Sequence, residues 1–427
     1  MEFRKVLGFW DIFWLGIGGM VGVAILTFPS LTYQQAGPAS LVSWILAGVF
    51  SLLMAVVYSE MVTAFPRSGA LVVFPYEAFG KKKIARYLAF LEGVGYYIGT
   101  VFGIVISAII LGDYLGPQFS SGIGQFAIAE VALVAVGIIN LMGVKLTSKI
   151  NLAMSVFFIA IFAAIIILGI AGGSTTLLHP FLQSGGITGI VLAIPVAILA
   201  YGSWTALLTV PEETINVKKV PKAIFWSIVF VTVFYVLLVL AVYLNLGASQ
   251  MQTQYSQDPV LGLVASLGSP AAMIAFQMAA VLSIVAVMLV MVLSNARILY
   301  ALTRLDFLPK KMNRMSGASV PLYATLLSLF VPMALSAFPG YYFQYVVIGA
   351  IIGTGLPRLI DLASYFRIRR KSHYKPAFRV RHGTAIAAVA FVGLVISELS
   401  LGASDILWSA AALIALTAVF YLADRRR

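Results

Sequence analysis

Four of the seven residues from Gly16 to Gly22 are glycine, in the apolar run GIGGMVGVAIL that ends at Leu26. Each glycine weakens a helix by roughly 0.5–1 kcal/mol relative to alanine. In lipid, the N–H and C=O groups freed by a break must find other partners. Freed amides at the start of a half-helix suit an anion, and freed carbonyls at the end of one suit a cation. A second run, ITGIVLAIPVAILAYGSWTALLTVPEE, has Pro195 and then Ala200-Tyr201-Gly202-Ser203-Trp204 near its middle. Pro195 removes a backbone donor, and Gly202 loosens the next turn.

Ionisable residues at membrane depth need a reason, since each costs ~2.5–3.5 kcal/mol even on lenient insertion scales. Glu60, Glu92 and Glu130 stand in apolar runs. For Glu60 and Glu92 a structural pair with a loop Arg or Lys is the favoured reading. Glu130 is the deepest carboxylate, a candidate proton relay or a cap for a neighbouring helix. Arg358 and Asp361 are three residues apart, so one helix face carries both, as a self-neutralising pair or a gate. Glu212 and Glu213 precede Lys218 and Lys219, which suits a gate or a surface ion pair. No Walker-type Gly-Lys-Ser/Thr, no channel-type Thr-Val-Gly-Tyr-Gly and no Ser/His/Asp triad is present. Cysteine is absent and only His179, His373 and His382 could ligate through imidazole, so neither a metal site nor a cofactor is expected.

The elements that carry these residues are membrane spans. Of 427 residues, 61% are apolar and 10% are charged, against about 25% charged in soluble proteins. Twelve apolar spans read at about 9–35, 39–65, 84–115, 124–143, 150–171, 187–213, 220–247, 268–302, 320–338, 341–366, 383–401 and 404–423. All 28 Lys and Arg fall at the termini and on one alternating set of connections. The other set, near 116–123, 172–186, 248–267, 339–340 and 402–403, has none. The positive-inside rule then puts both termini in the cytoplasm. The net charge of +13 is therefore a topology signal and a contact with anionic lipid, not a nucleic-acid surface.

Spans 1 and 6 are both interrupted, lie five apart and enter from opposite sides, which fits an inverted repeat of spans 1–5 and 6–10. Gly18 and Gly22 also make a GxxxG pair, but adjacent Gly18 and Gly19 exceed what packing requires. Gly95, Gly99 and Gly103 of span 3 read as close packing.

Four motifs now point to a family. YSEMVTAFPRSGALVVFPYEAFG, Tyr58 to Gly80, covers the end of span 2 and its loop. With GIGGMVGVAIL, PEETINVKKVPKAI (Pro211 to Ile224) and SNARILYALTRLDFLPK (Ser294 to Lys310), it resembles the signatures of amino acid–polyamine–organocation permeases, in the same order. The resemblance implies an all-α polytopic membrane protein of LeuT-type fold, a 5+5 inverted repeat with discontinuous helices 1 and 6 and 12 transmembrane helices. The chain 1–427 is then a single transporter domain, with repeat one at about 9–171, repeat two at about 187–366 and terminal helices at about 383–423. The implied function is secondary transport of amino acids or related amines, read here as transport of an amino acid across the plasma membrane by ion-coupled symport. The family's carboxylate-binding G-x-G matches Gly22-Val23-Ala24, with Ala24 in place of the last glycine. Carbonyls near Ile17, Gly18, Met20, Ala200 and Tyr201 would meet the α-amino group. Gly202 matches the family glycine of span 6, and Trp204 and Tyr201 are candidate pocket walls; Tyr96 and Tyr97 are weaker ones. Many members have a lysine in span 5 where this chain has Phe158. Coupling would fall to H⁺ or Na⁺, with Ser283 as a candidate sodium ligand and Glu130, Glu60, Arg358 and Asp361 as coupling or gating groups. The alternatives are exchange, a polyamine or organic-cation carrier if Glu130 or Glu92 faces the cavity, and a non-transporting nutrient sensor, which the short tails disfavour. A membrane enzyme would need a nucleophile and base that are not found. The expected partners are a small substrate, these ions and lipid, with no obligate protein partner.

Overall fold

The computed structural model describes residues 3–80, 82–115, 122–182, 185–399 and 403–424. Lys81, most of the expected loop 116–123, residue 402 and Arg425 to Arg427 lie outside them. The described residues are helical apart from turns and two isolated bridges. Among the described residues, seven stretches are long and apolar enough to cross a membrane: Val23–Ala64, Lys83–Leu115, Gly124–Leu141, Val144–Gly172, Gly186–Thr209, Val217–Asn245 and Pro270–Arg304. Shorter apolar helices accompany them. The chain is thus a polytopic membrane protein.

Span 1 is two helices, α1 (Phe9–Met20) and α2 (Val23–Ala36). At 1.5 Å per residue neither half crosses a ~30 Å hydrocarbon core alone. Gly37, at φ 58, turns the chain into α3 (Ser40–Ala64). The Tyr58–Gly80 segment is more than a loop. Gly69 is left-handed, and from it starts α4 (Ala70–Phe79), whose ten residues are too few to register as a span yet are largely buried. Then follow α5 (Lys83–Leu115), α6 (Gly122–Leu141), α7 (Val144–Gly172) and α8 (Gly186–Tyr201).

Span 6 departs from an open break. At Gly202 the backbone stays right-handed, and α8 passes directly into a 3₁₀ stretch, Gly202–Thr209. The tighter winding still displaces the hydrogen-bond ladder. Next come α9 (Val220–Asn245), the short α10 (Ala248–Gln252) and α11 (Pro259–Ser266), which replace the expected loop, and α12 (Pro270–Arg304). The last elements are α13 (Leu322–Ser336), α14 (Tyr342–Ala350), a π-helical turn at Ile351–Gly355, α15 (Leu356–Ile368), α16 (Gly383–Leu399) and α17 (Ala403–Asp424). Such π turns often mark functional sites.

α1 packs on α7, α9 and α12, and α3 packs on α8 and α9. α5 runs along α12 and also meets the π turn. Its glycines permit that approach. A Cβ on Gly99 would lie 2.5 Å from the Cα of Gly353, and one on Gly95 would lie 2.7 Å from the Ile352 carbonyl.

Candidate functional site

Val21 and Gly22 are extended, and no side chain caps the amides that open α2. Those amides are the unsatisfied donors of a new helix start. Gly22 is required by space. A Cβ there would lie 2.5 Å from Cγ2 of Val287 on α12. Val23 and Ala24 are half-buried.

On the other side of the break, the Met20 carbonyl accepts from the Tyr235 hydroxyl at 2.6 Å, and the Ala200 carbonyl lies 3.1 Å from the same hydroxyl. Tyr235, buried on α9, thus ties the end of α1 to the end of α8. A phenol has one proton, so it satisfies one carbonyl fully at a time. Tyr235 was not expected from sequence; its only signal is a phenol in the middle of an apolar span. The Ile17 carbonyl is already taken by the Val21 amide at 2.9 Å. Gly18 presses on α7, where an added Cβ would lie 2.6 Å from Ser155 Oγ. Asn151, beside Ser155, donates to the Ala286 carbonyl of α12 at 3.2 Å, while its own Oδ1 and Ser155 Oγ are buried without hydrogen-bond partners. Phe158 is buried against Phe162.

A cavity of about 110 Å³ opens beside the 3₁₀ stretch. Gly202, Ser203 and Thr205 form one wall, Glu92, Tyr96 and Thr100 of α5 another, and Thr354, Arg358 and Asp361 a third. Tyr58 and Ser294 complete its polar lining. This is small beside the ~300–1,000 Å³ of drug-sized sites. Glu92 has no close hydrogen bond to either carboxylate oxygen, and its polar neighbour is Asp361. Glu92 is fully buried and lines the cavity, and among the described residues no loop Lys or Arg pairs with it, so the expected structural pair is not made there. Arg358 and Asp361 both line the cavity.

Of the residues expected around the ligand, Gly202 and the weaker candidate Tyr96 line this cavity. Ile17, Gly18, Met20, Gly22, Val23, Ala24, Ala200, Tyr201 and Trp204 do not. Trp204 is buried against Tyr58, ring centres 5.4 Å apart, and Tyr201 turns away to donate to the Trp44 carbonyl at 3.1 Å. Tyr97 donates to the Leu327 carbonyl at 3.2 Å. Ser283 donates to its own helix, at the Ala280 carbonyl, 2.8 Å away. Glu130 accepts from Ser336 at 2.6 Å, on the seam between α6 and α13. Glu60 is buried and filled by three donors: Arg369 Nε at 3.0 Å, the Tyr365 hydroxyl at 2.8 Å and the Val380 amide at 2.9 Å.

The basic end of the molecule is closed by the motif residues. Arg297 of α12 grips Glu213 through two hydrogen bonds of 2.7 and 3.0 Å, both side chains buried. Arg304 pairs with Glu212 at 2.9 Å. These arginines, rather than Lys218 and Lys219, are the partners of the two glutamates. The Gly69 amide donates to the Thr209 carbonyl at 2.9 Å, and Val6 and Leu7 donate to the Glu213 carbonyl.

A family model described as amino acid permease matches residues 7–421. The chain belongs to the amino acid permease family, whose members are transporters and not enzymes. It is 26% identical to cationic amino acid transporter 5 of Arabidopsis thaliana over 79% of this chain and 60% of that one. It is 24% identical to an uncharacterized amino acid permease of Bacillus subtilis, covering 97% of this chain and 96% of that one. To the L-asparagine permease of Escherichia coli it is 26% identical, over 79% and 69%. The chain spans 44% to 60% of the length of three plant relatives.

Proposed function

We propose that this chain carries an amino acid across the plasma membrane by ion-coupled alternating access, with both termini cytoplasmic. The frame is a LeuT-type 5+5 repeat of twelve spans forming one domain, with α1, α2 and α8 at its centre. The observation that carries this reading is the interruption at Val21–Gly22, held to the end of α8 through Tyr235. The amides of Val23 and Ala24 suit the substrate carboxylate. The carbonyls of Met20 and Ala200 suit its ammonium, which would take the hydrogen bonds that Tyr235 now makes. The side chain extends past Gly202 towards the 110 Å³ cavity. The bundle containing α1, α2 and α8 rocks against α5, α6, α12 and α13. A proton or sodium ion supplies the drive, and membrane lipid surrounds the whole.

Glu92 favours a second reading, a cationic amino acid or amine. Two carboxyls, Glu92 and Asp361, share the cavity with one guanidinium, Arg358, and an added cation balances them. The relative named a cationic amino acid transporter agrees with that chemistry. Uptake of labelled amino acids into proteoliposomes, under imposed Na⁺ and pH gradients, tests both readings. We expect accumulation of at least one amino acid and its collapse when the driving gradient is dissipated. Glu92→Gln should depress uptake of lysine or arginine at least tenfold more than that of a neutral amino acid. Equal loss for both kinds of substrate contradicts the cationic reading, and the absence of uptake for every amino acid contradicts the first.

A further inference from the structure

Lys222 stands in the first turn of α9, and an apolar groove opens on each side of it. The larger, about 810 Å³, runs between α1, α7 and α9 over Phe9, Trp10, Phe13, Trp226 and Phe230. The smaller, about 350 Å³, lies between α9 and α3, and Lys218 also borders it. Lys222 lines both grooves and, among the described residues, is the only ionisable one lining the larger. Trp10 is 63% exposed and Trp226 47% exposed at the mouth of the larger groove. Tryptophan is favoured at the headgroup level of a membrane, and a lysine stem lies along apolar surface while its ammonium reaches the interface. The nearest carboxylates in sequence, Glu212 and Glu213, are committed to Arg304 and Arg297. No carboxylate pairs with Lys218 or Lys222 among the described residues.

We propose that this is a binding site for one anionic phospholipid of the leaflet on the basic side, its phosphate on Lys222 and Lys218 and one acyl chain in each groove. The charge selects the headgroup, and the two grooves accept the two chains. Since α1 forms a wall of the larger groove, the occupant braces the inner half of the interrupted span against α7 and α9. The site follows from the grooves and the lysines and holds whatever the chain transports.

The purified full chain, stripped of lipid and exposed to equal amounts of phosphatidylglycerol and phosphatidylcholine, tests this by native mass spectrometry. The expected result is a several-fold excess of retained phosphatidylglycerol. Lys222→Gln with Lys218→Gln should abolish the excess, and Lys310→Gln, on the exposed loop after α12, should preserve it. Ala163→Trp fills the larger groove and should lower phosphatidylglycerol retention with both lysines intact. Equal retention of the two lipids by the unaltered chain overturns the site. So does a preference that Ala163→Trp leaves unchanged, which would mean attraction to surface charge without a seated lipid.

Discussion

Gly22 sits where the first span is broken and packs directly on Val287 of α12. Its extended backbone suits any residue, but the space does not: Val287 occupies the place of a side chain. The glycine is therefore a packing requirement that also leaves the α2 amides uncovered. Arg297 and Glu213 follow a different logic. Both are buried and joined by two hydrogen bonds, so losing one partner strands a charge. Arg297→Met should lower stability by about 3–5 kcal/mol, read as a fall in thermal midpoint of the detergent-solubilised protein. Adding Glu213→Leu should restore most of it. A single variant as stable as the parent would show that the pair does not close this end. Glu92 marks a limit of sequence reading at this scale. Its type and depth are visible, but whether it meets a loop lysine or a cavity is decided by how α5 lies against α15 and the π turn.

Among the elements, the break in span 1 was legible because glycine content and hydropathy are local properties. Span 6 was legible only in outline. Pro195 and Gly202 signal weakened winding, but the choice between an open break and a 3₁₀ stretch depends on what α3, α9 and α12 press against it. α4 was missed because a ten-residue helix with an internal proline resembles a loop until its burial is known. α11 was missed likewise, although Asp258 caps it by accepting from the Leu261 amide at 2.9 Å. Asp258 also accepts from the Tyr114 hydroxyl of α5, and the Ser256 carbonyl accepts from Ser30 of α2. The 256–266 segment thus latches onto two spans. Burial, opposed by those hydrogen bonds, pushes the Asp258 carboxyl up to about 6. A freely exposed aspartate titrates near ~3.9, so between about pH 4 and 6 the docked segment holds a proton that the released one has lost. Docking is accordingly favoured as pH falls through about 6 and weakened above it. Hydrogen exchange of 256–266, corrected for intrinsic rate, should be slower at about pH 5 than at about pH 7, and Asp258→Asn should remove the difference. An unchanged difference in that variant contradicts the latch.

For the whole molecule, the alternation of Lys and Arg carries the proposed orientation. It is a property of the complete set of connections and survives errors of a few residues in any span. The natural absence of cysteine makes it testable. In intact cells a membrane-impermeant thiol reagent should label Ser249→Cys and leave His373→Cys unmodified, and the reverse pattern would invert the topology. The proposed repeat symmetry rests on two weakened spans five apart. The cavity was not legible, because it is assembled from α3, α4, α5, α8, α12 and α15 with the 3₁₀ and π turns, and no local pattern reports such an assembly.

The central claim is that the interruption at Val21–Gly22 holds the substrate. Equilibrium binding of the best transported amino acid to purified Gly22→Leu, compared with the unaltered chain, tests it most directly. Circular dichroism and a size-exclusion profile would show that the variant remains folded. The account predicts that the folded variant loses binding by at least a hundredfold, and unchanged affinity in a folded Gly22→Leu protein would contradict it.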